Sequence, residues 1–151
     1  EIVALEELLS AARRMGAAAV EGTRIAFDVT NSSSGPPLYV DRLQIEVVLR
    51  NLIANAVESI TASGTQGGSI RVLVEDLDGA QLRFVVADTG PGPSASGRER
   101  IFEPFVSGKS TGMGLGLAVS RAIAEAHGGS LEAAPVAHGE FHLILPCVQS
   151  A

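Results

Sequence analysis

The stretch from Asp88 to Gly116 constrains this chain more than any other. It opens Asp88-Thr89-Gly90-Pro91-Gly92 and closes Gly112-Met113-Gly114-Leu115-Gly116. Between these lie Phe102-Glu103-Pro104-Phe105 and Val106-Ser107-Gly108-Lys109-Ser110-Thr111. The apolar run Arg83 to Ala87 before it reads as a buried strand, and Leu117 to Ala124 after it reads as a helix. The order is therefore strand, acidic turn, long glycine-rich loop, helix start. Asp88, at the strand's end, is a carboxylate on rigid backbone that can accept a hydrogen bond from an exocyclic amine such as adenine's. Gly90 and Gly92 let the backbone turn and approach a flat ring. Gly112, Gly114 and Gly116 open a helix, whose free N–H groups favour an anion. Lys109, with Thr111 beside it, adds a mobile positive charge. The pattern points to a nucleotide, with its base at Asp88 and its phosphates at the second glycine cluster.

Glycine pairs alone are a weak signal, because glycine is common in loops. Gly108-Lys109-Ser110 looks like the end of a phosphate-binding P-loop, but that loop needs a glycine where Glu103 stands. A dinucleotide-binding fingerprint is excluded too: its glycines directly follow the strand, whereas here a long loop intervenes.

The motifs together are more specific. Asp88 to Gly92 resembles the G1 box of sensor histidine kinases, Phe102 to Phe105 resembles their F box, and Gly112 to Leu117 resembles their G2 box, all in the family's order. Asn51-Leu52-Ile53-Ala54-Asn55-Ala56 resembles their N box. The resemblance covers nearly the whole chain and extends to the wider superfamily of DNA gyrase B, MutL and a heat-shock chaperone. It implies the Bergerat fold, a two-layer α/β sandwich with an ATP lid. It further implies that Asn55 coordinates the Mg²⁺ of Mg-ATP with Asn51 in support, that Asp88 fixes adenine, and that Lys109, Thr111 and the amides of Gly112, Met113, Gly114, Leu115 and Gly116 hold phosphates. Arg100 is a candidate γ-phosphate contact, and Phe102 and Phe105 would fasten the lid to the body. The superfamily often has a catalytic glutamate at the position of Asn51, and its replacement favours a kinase over a water-activating ATPase. Two departures are Pro93, where an aliphatic residue is usual, and Glu58, where the kinases often carry a basic residue.

The remaining sequence reads as follows. Residues 1 to about 20 form a helix, with Leu5, Leu8, Leu9, Ala12 and Met15 as its apolar stripe. Arg24 to Val29 alternates as a strand, residues 31–37 are a loop, and Leu38 to Val40 is a short strand. Asp41 caps a second helix that runs to about Ala62. Its apolar face is Ile45, Leu49, Ile53, Ala56 and Ile60, and Gln44, Asn51, Asn55 and Glu58 lie opposite. Polar residues so placed are commonly just solvated. Asparagine, however, costs a helix roughly half a kcal/mol against alanine, and two of them one turn apart would present two amide oxygens to one point, as suits a hydrated Mg²⁺. Ser69 to Leu77 and Gln81 to Ala87 form a hairpin about Asp78-Gly79. Leu115 to Ala126 is a helix, Leu131 to Val136 and Glu140 to Leu145 a last hairpin about Ala137-His138-Gly139, and the tail from Pro146 is frayed. Without regular βαβ alternation, the class is α+β: helices on one face of a mixed sheet.

Composition sets limits. At 151 residues and 46% hydrophobic, the chain is a single domain, residues 1–151, with a real and mainly aliphatic core. A net charge of −6 without a basic stripe argues against a nucleic acid or an anionic membrane as partner. The lone Cys147 excludes an internal disulfide and fits a reducing cytosol, and no run of 18 apolar residues offers direct membrane insertion. A cytoplasmic location is expected, whether or not the parent protein is membrane-anchored. His127 at a helix end, where a partly cationic ring suits the dipole, His138 in a turn and His142 on a strand lack the context of the family's phosphoacceptor. The acceptor is expected in a dimerisation domain upstream of Glu1, with a response regulator as further partner. The competing functions are a serine protein kinase of the anti-sigma type, from the same superfamily, and a non-enzymatic module whose ATP site only signals.

Overall fold

The structure is a computed structural model that describes residues 1–64, 66–78, 80–103 and 116–148. The described residues form strands β1 (Ile2–Val3), β2 (Arg24–Ser32), β3 (Leu38–Tyr39), β4 (Gly67–Leu77), β5 (Gln81–Pro91), β6 (Ser130–Ala133) and β7 (His138–Pro146), and helices α1 (Leu5–Val20), α2 (Arg42–Ala62) and α3 (Gly116–Ala126). Two 3₁₀ turns, Ala95–Gly97 and Arg100–Phe102, follow β5.

Five strands make one mixed sheet in the order β2-β4-β5-β7-β6. Only the β2–β4 pair among them is parallel; the other three pairs are antiparallel. The period-two patterning sends Ile70, Val72 and Val74 of β4, Leu82, Phe84 and Val86 of β5, and Phe141, Leu143 and Leu145 of β7 to one face, where all are buried. The helices cover that face: α1 packs on β2 and α2, α2 crosses β4 and β5, and α3 lies on β6, β7 and α2. The outer face carries polar pairs such as Arg83 with Glu75 at 3.3 Å. Each aliphatic side chain removed from water in this layer contributes about 1.5–3 kcal/mol. This is the expected α+β, two-layer arrangement.

Several boundaries differ from the sequence reading, each through a long-range contact. The first helix begins at Leu5, because Ile2 and Val3 pair with Tyr39 and Leu38 instead. The first long strand continues through Ser32, because its parallel register on β4 extends to Ser32↔Glu75. The strand before the glycine loop does not stop at Ala87. Asp88 still pairs with Ile70, and after an irregularity Pro91 pairs with His138. His138 accordingly opens β7 rather than lying in the turn, and β6 is over by Ala133. Gly79 of the expected hairpin turn lies outside the described residues, but the antiparallel pairing of β4 and β5 on either side is present. The tail is held as far as Val148: the Cys147 N–H donates to the Ala80 carbonyl at 2.9 Å and the Val148 N–H to that of Pro37 at 2.7 Å. Cys147 also bridges to Leu38, and burial pushes its thiol pKa up.

Candidate nucleotide-binding site

The N-terminus of α2 sets the site's frame. Asp41 caps it as expected, its carboxylate accepting the Gln44 N–H at 3.2 Å. The same Asp41 gives its own N–H to His127 Nε2 at 3.1 Å, while His127 Nδ1 lies 2.8 Å from the Ile123 carbonyl. A ring that accepts at Nε2 and donates at Nδ1 is neutral, so the cationic, dipole-facing ring expected at this helix end is corrected to a neutral tie between the end of α3 and the start of α2. The apolar face of α2 is buried as expected. Asn51, Asn55 and Glu58 opposite it are half-buried, and only Gln44 of the four is exposed. The helix is thus covered on both sides, which removes the simple solvated-face explanation.

On that second side Asn51 meets α3, and Asn55 and Glu58 line a cavity of about 700 Å³, within the size range of small-molecule sites. Asn55, Glu58, Ser59 and Ala62 of α2 form one wall, and Asp88, Pro91 and Gly92 of β5 and the residues after it form the floor. Ile101, after β5, and Gly139 and Phe141 of β7 complete the lining. Asp88 is only 4% exposed. Its Oδ1 accepts the Gly90 N–H at 2.7 Å. Burial raises the Asp88 pKa above the ordinary carboxylate value, with the Gly90 N–H, the Ser59 hydroxyl and His138 acting in opposition. Such a carboxylate lacks solvent and is suited to a polar ligand edge.

Glycine is needed at this floor because chains meet here at backbone distance. A Cβ on Gly139 would stand 2.2 Å from Asp88 Oδ2, one on Gly90 2.4 Å from Ser59 Oγ, and one on Gly92 2.4 Å from the His138 carbonyl oxygen. Gly92 lines the cavity, whereas Gly90 is turned onto α2. The two asparagines part company as well. Asn55 lines the cavity. The Asn51 Nδ2 donates to the Gly116 carbonyl at 3.2 Å and to Ser120 Oγ at 3.0 Å, fastening the first turn of α3 to α2. Arg100 is exposed and outside the cavity lining. Phe102 is buried, edge-on to Phe141 with ring centroids 6.1 Å apart. Lys109, Thr111, Gly112, Met113, Gly114, Leu115 and Phe105 lie outside the described residues.

The sequence reading missed Ser59 and Gly139. Ser59 Oγ donates to the Pro91 carbonyl at 3.0 Å and ties the floor to the wall. Its position one turn beyond Asn55 on the same helix face was a usable signal. Nothing local marks Gly139, whose role depends on β7 pairing beside β5. For a metal, the wall offers only oxygen donors of the hard kind, the Asn55 amide and the Glu58 carboxylate, which fits Mg²⁺ in type.

The family model described as histidine kinase-, DNA gyrase B- and HSP90-like ATPase matches residues 40–149. The chain belongs to this ATPase family, and its sheet and helices are those of the Bergerat fold. Its relatives are sensor kinases. It is 37% identical to the C4-dicarboxylate transport sensor protein DctS of Rhodobacter capsulatus over 96% of this chain and 22% of that protein. Among solved structures, the mycobacterial sensor histidine kinase MprB superposes with a TM-score of 0.85 at 25% identity, covering 99% of this chain and 100% of that one. Full-length ShkA in complex with AMPPNP superposes with a TM-score of 0.83 at 28% identity, over 100% of this chain and 32% of that one. The chain spans only 14–22% of the length of the first curated relatives it matches.

Proposed function

We propose that this chain binds Mg-ATP in the cavity over Asp88 and donates the γ-phosphate to a histidine on a separate helical dimerisation domain of a two-component sensor kinase. The observation that carries the reading is the buried Asp88 carboxylate on the floor of a cavity walled by Asn55. Asp88 accepts the adenine amine, and Gly92 lies beside the ring. Asn55, supported by Asn51, is the residue that would hold Mg²⁺, which neutralises phosphate charge. That neutralisation matters in a wall that also carries Glu58. Lys109, Thr111 and the amides from Gly112 to Gly116 take the phosphates, with Arg100 reaching the γ-phosphate. Catalysis of this kind rests on positioning and charge more than on covalent protein chemistry. The bond from the γ-phosphorus to the bridging oxygen breaks, ADP leaves, and a bond forms from phosphorus to the unprotonated imidazole nitrogen, while the proton on the other ring nitrogen is released to solvent. The chain's own histidines are otherwise engaged: His127 as described, His138 and His142 with their Nε2 atoms 2.8 and 2.7 Å from the Glu140 carboxylate. A response regulator is the onward acceptor.

The test uses labelled ATP with the 151-residue chain alone and then with the parent's acceptor domain. The chain alone is expected to bind Mg-ATP and to keep no stable label. The mixture is expected to yield acid-labile, base-stable phosphohistidine on the acceptor, slowly, because a tether's effective concentration is missing. Label on His127, His138 or His142 would overturn the separate-acceptor reading, and acid-stable label on a serine would overturn the histidine assignment.

A further inference from the structure

Arg121 is the most heavily engaged cation among the described residues, and the site as described so far does not use it. It stands on α3, directly after Ser120, which Asn51 fastens. Its Nη1 and Nη2 donate to Glu99 Oε2 and Oε1, both at 2.9 Å, and Nη2 also donates to both oxygens of Glu132 at 2.9 Å. Its guanidinium lies 4.2 Å from the centroid of the Phe102 ring. The Arg121 side chain is 21% exposed, whereas those of Glu99 and Glu132 are 68% and 55% exposed. Hydrogen bonding to Glu99, against the cost of burial, raises the Arg121 pKa, and the same bond lowers that of Glu99.

The three partners belong to different parts of the fold. Glu132 is on β6, the edge strand of the sheet. Glu99 and Phe102 belong to the short turns that follow the cavity floor, and Phe102 rests on Phe141, which lines the cavity next to Ile101. A planar fork with five donors can grip two carboxylates and cover an aromatic face at once, which a lysine cannot. The Glu99–Arg121 pair spans 22 positions of sequence.

We infer that Arg121 is a positioning residue for nucleotide binding: held by Glu132, it clamps Glu99 and Phe102 and so fixes the turn that brings Ile101 to the cavity and seats Phe102 on Phe141. The inference rests on the ATP reading above. Holding the turn residues that border the cavity in place removes conformational freedom that a ligand would otherwise have to remove. The effect belongs to retention of bound nucleotide rather than to folding, because an ion pair with one exposed partner adds little to stability.

The experiment compares wild type, Glu99→Gln and Glu132→Gln, both changes at exposed side chains that leave the core intact. Dissociation of a fluorescent ATP analogue, chased with Mg-ATP, is followed by stopped flow, and amide exchange at residues 95–103 is measured with and without nucleotide. Glu99→Gln is expected to raise the dissociation rate about two- to fivefold, the scale of one partly exposed ion pair, with an unchanged melting temperature and faster exchange at 95–103 in both states. Glu132→Gln is expected to change the rate less than Glu99→Gln does. Arg121→Lys, which keeps charge but not the fork or the stacking, should fall on the side of Glu99→Gln. Equal dissociation rates in wild type and Glu99→Gln, or exchange at 95–103 insensitive to that change, would overturn the clamp. If wild type itself fails to bind ATP, the functional reading fails, and the nucleotide-free exchange still decides whether Glu99 and Arg121 hold the turns.

Discussion

Asp88 sits in a place that disfavours its charge, and burial raises its pKa above the ordinary carboxylate value. Because burial raises its folded pKa above the unfolded value, the folded state binds more protons between those two values. The free protein's stability from this group is therefore full below the ordinary carboxylate range and lost as pH rises through the raised folded value. Asp88→Asn removes the charge and keeps an oxygen for the Gly90 N–H. Its melting temperature at pH 7 without ligand is expected to equal or exceed that of wild type, and its ATP affinity to fall by about 1.5–3 kcal/mol, as for a lost hydrogen bond to a charged group. Calorimetric titration beside thermal melts separates the two effects; unchanged affinity would remove the base assignment. The carboxylate's candidacy was legible from Asp88-Thr89-Gly90. Its burial was not, since Gly139 and Ser59 supply it from two other elements.

Helix α2 serves core and cavity at once, with Ile45, Leu49, Ile53, Ala56 and Ile60 buried on one side and Asn55 at the cavity on the other. Asn55→Ala improves helix propensity by roughly half a kcal/mol and empties no packed position of the core. The expected outcome is an equal or higher melting temperature without ligand and loss of the Mg²⁺-dependent gain in ATP binding, read by titration with and without the metal. Retention of the full Mg²⁺ dependence would exclude Asn55 as ligand. The same logic does not extend to Asn51, because its amide also holds Gly116 and Ser120. Asn51→Ala should loosen the start of α3 as well, so it is the poorer probe of metal binding. The cap at Asp41 and the two faces were readable from spacing. The division of labour between the asparagines was not, because it depends on where α3 docks.

At the scale of the whole molecule, the C-terminal segment joins parts that are distant in sequence. Cys147 and Val148 reach Ala80 and Pro37, and Leu38 in turn pairs with Val3. Removing residues 147–151 deletes two backbone hydrogen bonds among the described residues, those from Cys147 and Val148, and the expected loss is about 1–3 kcal/mol at about 0.5–1.5 kcal/mol for each, measured by denaturant unfolding with an unchanged slope. No loss of stability would mean that the segment is frayed in solution.

The sequence alone determined the hydrophobic periods, the capped second helix, the hairpin of β4 and β5, and, through its four motifs, the ATPase family to which the chain belongs. All of these are local: they depend on residue type at spacings of two, three or four, or on turn chemistry within a few positions. Only the tertiary structure decided that Ile2 and Val3 form a strand, that β5 runs on through Asp88 to Pro91, that His127 is a neutral link between helices, and that Arg121 grips Glu99, Glu132 and Phe102. Each of these depends on a partner dozens of residues away or on an element docked from elsewhere. Burial and hydrogen-bond completion at such contacts outweigh local propensity, and no short window of sequence contains both halves of the pair.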